Sequence, residues 1–191
     1  MRLVFATHNA GKLQEVKELL EPKYEVIGLS ELGDLEDIPE NEPTLEGNAL
    51  VKAKTIWEKY GLSCFSDDTG LEIEALNGAP GVYSARYGGP EKDPEQNMDR
   101  ILEELAGQQN RAAQFRTAVA LILNGEEHLF EGVVKGAIRK ERSGSKGFGY
   151  DPVFQPEGYS ITFAEMDSAE KGKISHRGRA MAKLVEFLAA K

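Results

Sequence analysis

The sequence predicts an α/β protein, a mixed sheet flanked by helices, with two lobes around a central cleft. Strand-like apolar runs alternate with amphipathic helical segments from the N-terminus onward. A strand, Asn124-Gly125, strand run in the middle is a hairpin signal, which adds an antiparallel element to an otherwise parallel pattern. At 191 residues the chain is long for one α/β domain and short for two, so 1–191 reads as a single domain of two lobes.

Taken in order, Leu3 to Ala6 read as a buried strand, and Leu13, Val16, Leu19 and Leu20 fall on one helical face. A strand at 24–29 and the acidic loop ELGDLEDIPENEPTLE follow. Ala49, Ala53, Ile56, Trp57 and Tyr60 mark a second helix at spacings of three and four. Residues 62–66 and 71–76 read as two strands meeting at a turn around Asp67-Asp68-Thr69-Gly70. Met98, Ile101, Leu102 and Leu105 mark a third helix, the run from Phe115 to Arg139 the hairpin, and Met181, Leu184, Val185 and Leu188 the core stripe of a C-terminal helix. There is no internal repeat or low-complexity segment.

Composition narrows the function. A net charge of −9 argues against a protein that coats nucleic acid, because that affinity comes from Lys and Arg neutralising phosphates. A small anionic substrate remains open, given a local basic pocket and a metal. Cys64 is the single cysteine, so no intrachain disulfide and no cysteine cluster for zinc exists, and in LSCFS it reads as a buried strand residue. No run approaches the roughly 18 apolar residues of a membrane span, and no signal-peptide core follows Met1, so the cytoplasm is the expected compartment.

Three stretches carry chemistry. In FATHNAGKLQE, Gly11-Lys12 stand where the Gly-Lys of a P-loop would, but Ala6 replaces the first glycine and Leu13 the Ser or Thr that ligates Mg²⁺. The stretch reads either as an ordinary capped strand-to-helix turn or as an anion site at a helix N-terminus with Lys12 adding charge. If phosphates bind there, the metal is held elsewhere. FSDDTGLE offers Asp67 and Asp68 for that task, or as simple turn formers before Gly70. Adjacent strand residues face opposite ways, so unless the turn bends sharply one aspartate alone is expected to ligate directly.

SGSKGFGYDPVFQ interleaves Gly144, Gly147 and Gly149 with Lys146, Phe148 and Tyr150, either a flexible turn or a stacking face for a base. AEKGKISHRGRA gathers Lys171, Lys173, His176, Arg177 and Arg179 at the start of the last helix, with Ser175 as its N-cap. Basic residues there oppose the macrodipole unless an anion or acceptor occupies them.

THNAGK with TLEGNALVKA, SDDTGLEIEALNGAPGVYSARY, and GFGYDP followed by SHR together resemble the inosine triphosphate pyrophosphatase family, from Thr7 to Arg177. The resemblance implies a mixed α/β fold, a homodimer, Mg²⁺ dependence, and cleavage of ITP, dITP and XTP to the monophosphate and pyrophosphate. It puts the phosphate loop on Thr7, His8, Asn9, Ala10, Gly11 and Lys12, the metal carboxylates on Glu40 and Asp68, and the general base on Asp68. Lys52 matches the lysine facing that site and Thr69 a substrate-contacting hydroxyl. Phe148, Gly149, Tyr150 and Asp151 match the base-binding loop, and Lys171, His176 and Arg177 the remaining substrate contacts. Gly47 stands where some members carry a second glutamate. Arg177, His176 and the N–H groups of 148–151 are expected to donate to the 6-carbonyl of a keto purine, which ranks ITP and XTP above GTP, and GTP at or above ATP. A nucleotide-sensing module and a pyrophosphatase for modified pyrimidine or methylated nucleotides are the competing readings.

Overall fold

The alternation of apolar and amphipathic segments resolves into six strands and six α-helices in the computed structural model, which describes every residue from Met1 to Lys191. Strand β1 (Arg2–Phe5) leads into α1 (Ala10–Leu20), β2 (Glu25–Gly28), the single turn α2 (Leu29–Leu32) and α3 (Leu45–Tyr60). Then come β3 (Cys64–Ile73), α4 (Pro94–Glu104), the long strands β4 (Ala112–Leu123) and β5 (Glu126–Ile138), and the short β6 (Phe154–Pro156). Helices α5 (Ser168–Ile174) and α6 (His176–Ala189) close the chain.

The sheet order is β2-β1-β3-β4-β5-β6. Strand β1 runs parallel to both β2 and β3, whereas β6 is antiparallel to β5, so the sheet is mixed as expected. Asn124 and Gly125 join β4 to β5 with φ of 52° and 90°, the left-handed pair that a two-residue hairpin turn requires.

The chain divides into two compact units. The first comprises Met1–Asp68, Thr117–Gly132 and His176–Lys191, and the second Thr69–Arg116 and Val133–Ser175. In the first, strand alternation sorts the core into two faces. Leu3, Phe5, Phe65, Val119 and Leu121 pack with Val16 and Leu20 of α1 and Met181 and Leu184 of α6. Val4, Ala6, Cys64, Ala120 and Ile122 pack with Ala49, Ala53 and Ile56 of α3. In the second, Met98 and Ile101 of α4 and Leu105 directly after it share a core with Leu71, Ile73, Phe115, Phe154 and Phe163.

Two expectations are corrected. Residues 62–66 and 71–76 do not meet at a turn: β3 runs unbroken through Asp67, Asp68, Thr69 and Gly70. The two carboxylates find donors on neighbouring helices, so no local turn is needed to satisfy them. The basic run at 171–179 is not one helix start either. Lys171 and Lys173 lie on α5 in the second unit, and His176, Arg177 and Arg179 on α6 in the first. Ser175 stands between them in extended conformation, directly before α6, and its N–H closes α5 on the Lys171 carbonyl at 2.8 Å.

Candidate active site

Cys64, Ser66 and Asp68 share one face of β3, and Phe65 and Asp67 the other, because successive strand residues alternate. The first face looks at α3. Cys64 Sγ bonds the Ala53 carbonyl at 3.2 Å, Ser66 Oγ donates to the Ala49 carbonyl, and Asp68 Oδ2 accepts from Asn48 Nδ2 at 3.0 Å. The second face looks at α1 and α6. Asp67 Oδ1 accepts from Lys12 Nζ at 3.1 Å, and Oδ2 from Arg177 Nε at 2.8 Å. The adjacent aspartates therefore serve different surroundings.

Their titration differs accordingly. Burial would raise Asp67, but Lys12, Arg177 and Lys52 outweigh it and hold its carboxyl far below the usual range. Burial pushes Asp68 up to about 6, against Lys52 and Lys12, and the charge of Glu40 adds to the rise. A carboxyl poised near 6 beside a second carboxylate is the pattern expected of a group that binds a cation or takes a proton. The Cys64 thiol, pushed up to about 12 by burial, stays protonated and is no nucleophile.

The bases around these aspartates are built in. Lys52, on the buried side of α3, donates to Glu40 Oε1 at 2.7 Å and to the Asp67 carbonyl at 2.5 Å. Burial works against its charge, yet Glu40, Asp67 and Asp68 outweigh it and raise its pKa. Lys12 is lowered by burial, only partly offset by Asp67. Arg177, fully buried, donates from Nη1 to Glu15 Oε2 at 2.5 Å as well as to Asp67, and these carboxylates overcome burial and raise it further.

The loop between β1 and α1 is pinned. Thr7 Oγ1 accepts the Asn9 N–H at 3.1 Å, Asn9 caps α1 by accepting the Lys12 N–H at 3.0 Å, and no acidic residue lies in the first turn. Ala10 and Gly11 open the helix, so the positive end of its dipole and Lys12 lie together. His8 turns instead to the acidic loop, its Nε2 donating to the Glu36 carbonyl at 2.8 Å. That loop is tied down further by Asp34, which accepts from Lys59 and Tyr60.

The second unit holds the glycine-rich loop and Thr69, half-buried on β3. Gly144, Gly147 and Gly149 all have left-handed φ, of 92°, 71° and 62°. The loop is not loose: Arg142 bonds Asp99 at 2.5 Å, Lys146 N–H the Ala164 carbonyl at 2.9 Å, and Thr162 Oγ1 the Ser143 carbonyl at 2.6 Å. Asp151 Oδ2 accepts the Phe148 N–H at 3.1 Å and Lys171 Nζ at 2.6 Å, a buried pair beneath the loop. Lys171 Nζ also lies 5.0 Å from the Phe148 ring centroid. Phe148 is half-buried, but Tyr150 is a core residue whose hydroxyl donates to the Ser84 carbonyl at 2.5 Å. Tyr150 therefore offers no open stacking face, contrary to the reading of the motif, because packing of its ring against the second core outweighs exposure.

Lys12, Glu40, Lys52, Asp67, Asp68 and Arg177 are thus brought together in the first unit, and Phe148, Gly149, Asp151 and Lys171 in the second. His176, buried at the start of α6, packs where β5 has Gly132: a Cβ there would collide with the His176 carbonyl. Sequence reasoning missed Glu15 and Asn48. Glu15 stands on α1 three residues after Lys12, one turn along the same face, a spacing that was available as a signal. Asn48 was visible only as a polar residue one turn before Lys52 on the buried face of α3.

Glu40 and Asp68 fit a divalent cation of the magnesium type. No group of three or more His, Cys, Asp or Glu able to enclose a metal occurs, and Mg²⁺ needs none, since one or two carboxylates with substrate phosphates and waters complete its shell.

Lysines and a buried arginine thus face paired carboxylates beside a capped helix N-terminus on a mixed α/β sheet. The chain belongs to the Ham1 family, whose model matches residues 3–187. It is 51% identical over 187 residues to a dITP/XTP pyrophosphatase of Flavobacterium psychrophilum, covering 98% of both chains. It is 46% identical to a dITP/XTP pyrophosphatase of Bacillus subtilis, covering 98% of this chain and 96% of that one. Among solved structures, the Ham1 protein of Staphylococcus aureus aligns over 100% of this chain and 99% of its own at 38% identity, with a TM-score of 0.89. No helix is long and apolar enough to cross a membrane.

Proposed function

We propose that the protein hydrolyses deaminated purine nucleoside triphosphates, ITP, dITP and XTP, to the monophosphate and pyrophosphate. The observation that carries this reading is the pairing of a cationic cluster, Lys12, Lys52 and Arg177, with an Asp68 carboxyl raised to about 6. The relatives named dITP/XTP pyrophosphatase supply the substrate class. Residues 1–191 act as one catalytic domain.

In this reading Lys12 and the N-terminus of α1 bind the phosphates and Thr69 contributes a hydroxyl. Glu40 and Asp68 hold Mg²⁺, which when bound neutralises the triphosphate and polarises the bond to be cleaved. Asp68 accepts the proton of the attacking water. Arg177 and Lys52 keep Asp67 and Glu40 in place. The base is read by the backbone of 148–151, whose geometry Asp151 and Lys171 fix. A keto group at position 6 suits the N–H donors there, whereas the adenine amino group would face them as a second donor. We further infer from the family resemblance a homodimer working in the cytoplasm.

The test is a panel of ITP, dITP, XTP, GTP and ATP with Mg²⁺ and with EDTA, assaying pyrophosphate and orthophosphate separately. Pyrophosphate release from the first three, lost in EDTA, is expected. Orthophosphate as the first product, or equal rates on ATP, would sink the reading. Light scattering measures the oligomeric state.

A further inference from the structure

Asn48 is buried on the sheet side of α3 and its side-chain amide makes two bonds of opposite sense. Its Nδ2 donates to Asp68 Oδ2 at 3.0 Å, and its Oδ1 accepts the Glu42 backbone N–H at 2.9 Å. Carboxylates only accept and backbone N–H groups only donate, so one orientation of the amide satisfies both partners and the reverse satisfies neither. Glu42 lies two residues beyond Glu40 in the acidic loop. One side chain thus ties Asp68, on a strand, to the loop that carries Glu40.

The loop reaches this position because Gly47 leaves room for it. A Cβ at Gly47 would lie 2.9 Å from the Glu42 Cβ and 3.1 Å from Thr44 Oγ1. Thr44 itself caps α3, its Oγ1 accepting the Gly47 N–H at 3.0 Å. The start of α3 and the end of the acidic loop therefore form one fixed corner, with Asn48 as its inward bond.

We propose that Asn48 is a positioning residue that sets the relation between the Glu40 and Asp68 carboxylates, and so the affinity of their site for a divalent cation. The proposal rests on the reading of Glu40 and Asp68 as the metal carboxylates. A flexible loop would lose Glu40 from the site as a matter of entropy; the Asn48 amide removes that freedom before the cation arrives. Partners that orient ligands in this way typically change metal affinity or activity by about 10–100-fold when removed.

The experiment uses the full chain, Mn²⁺ as an electron-spin-resonance probe, and the α,β-methylene analogue of ITP, which cannot be cleaved to pyrophosphate. Asn48→Ala is expected to weaken Mn²⁺ binding to the analogue complex by about tenfold. In turnover of ITP it should raise the half-activating Mg²⁺ concentration by a similar factor, and excess Mg²⁺ should recover most of kcat. Glu42→Pro, in an exposed loop, deletes the other bond without touching the buried side chain and should do the same, so the idea stays testable if Asn48→Ala fails to fold. Unchanged Mn²⁺ affinity in Glu42→Pro, or a lowered kcat in Asn48→Ala that no Mg²⁺ concentration restores, would overturn the proposal. Wild-type inactivity on ITP would instead refute the function.

Discussion

Arg177 Nε donates to Asp67 Oδ2 at 2.8 Å while its Nη1 donates to Glu15 Oε2 at 2.5 Å, so one buried guanidinium joins the first turn of α6 to both β3 and α1. We infer that a guanidinium held by two carboxylates chiefly anchors them and leaves base discrimination to other donors. Arg177→Ala should lower kcat/KM for ITP, XTP, GTP and ATP by one common factor of at least about tenfold. It should also lower the melting temperature, because breaking a buried pair leaves an uncompensated charge and costs about 3–5 kcal/mol. A loss confined to keto purines would show that the side chain reads the base after all.

Asp68→Asn should abolish turnover, by about 10²–10⁴-fold for the general-base role alone, and at the same time stabilise the protein. The folded pKa of about 6 lies above the unfolded value of about 3.9. Ionised Asp68 therefore costs stability, with no cost below about pH 4 and the full cost above about pH 6. In EDTA at pH 7.5 the variant should melt about 6–12 °C higher than wild type, taking about 3 kcal/mol for the shift and the usual scaling for a chain of this size. The gap should close at pH 4. A constant gap at both pH values would remove the ionisation as its cause.

Lys171→Met should lower the melting temperature by more than about 6 °C, since Asp151 is then left buried without its cation. Asp151→Leu combined with Lys171→Met should recover most of that loss while base selectivity stays impaired, because the Phe148 N–H has lost its acceptor. Thermal melts of the two singles and the double give the coupling.

Gly147→Ala puts a methyl against Asp151 Oδ2 at a residue with φ of 71°. Because the loop must shift to admit it, KM for ITP should rise about tenfold, with kcat changing less. Steady-state kinetics decide it, and a variant with wild-type KM would free the loop of any part in base binding.

How far the residues foretold this site depends on whether their surroundings were local. The Thr7–Lys12 loop was legible because its caps lie within three residues of each other. The opposite facing of Asp67 and Asp68 followed from strand alternation alone. The continuity of β3 through these residues was not legible: Asp-Thr-Gly carries turn chemistry, and what overrides it is Lys12, Asn48, Lys52 and Arg177 arriving from three helices. Arg177 was found by its motif, but its carboxylate partners were not, since Glu15 and Asp67 are 162 and 110 residues away in the chain. Tyr150 was misjudged for the same reason, its hydroxyl acceptor being 66 residues distant at Ser84.

The distribution of the first unit over three stretches of chain bears on synthesis. Leu3, Phe5 and Phe65 leave the ribosome early, but Met181 and Leu184, which pack on the same face, come from α6. Until that helix emerges, the nascent chain presents an uncovered apolar face together with an Asp67 whose arginine has not yet been translated. A message broken before codon 176 yields a product lacking both the cover and the countercharge, which quality-control proteases should recognise as unfolded rather than as a shorter enzyme.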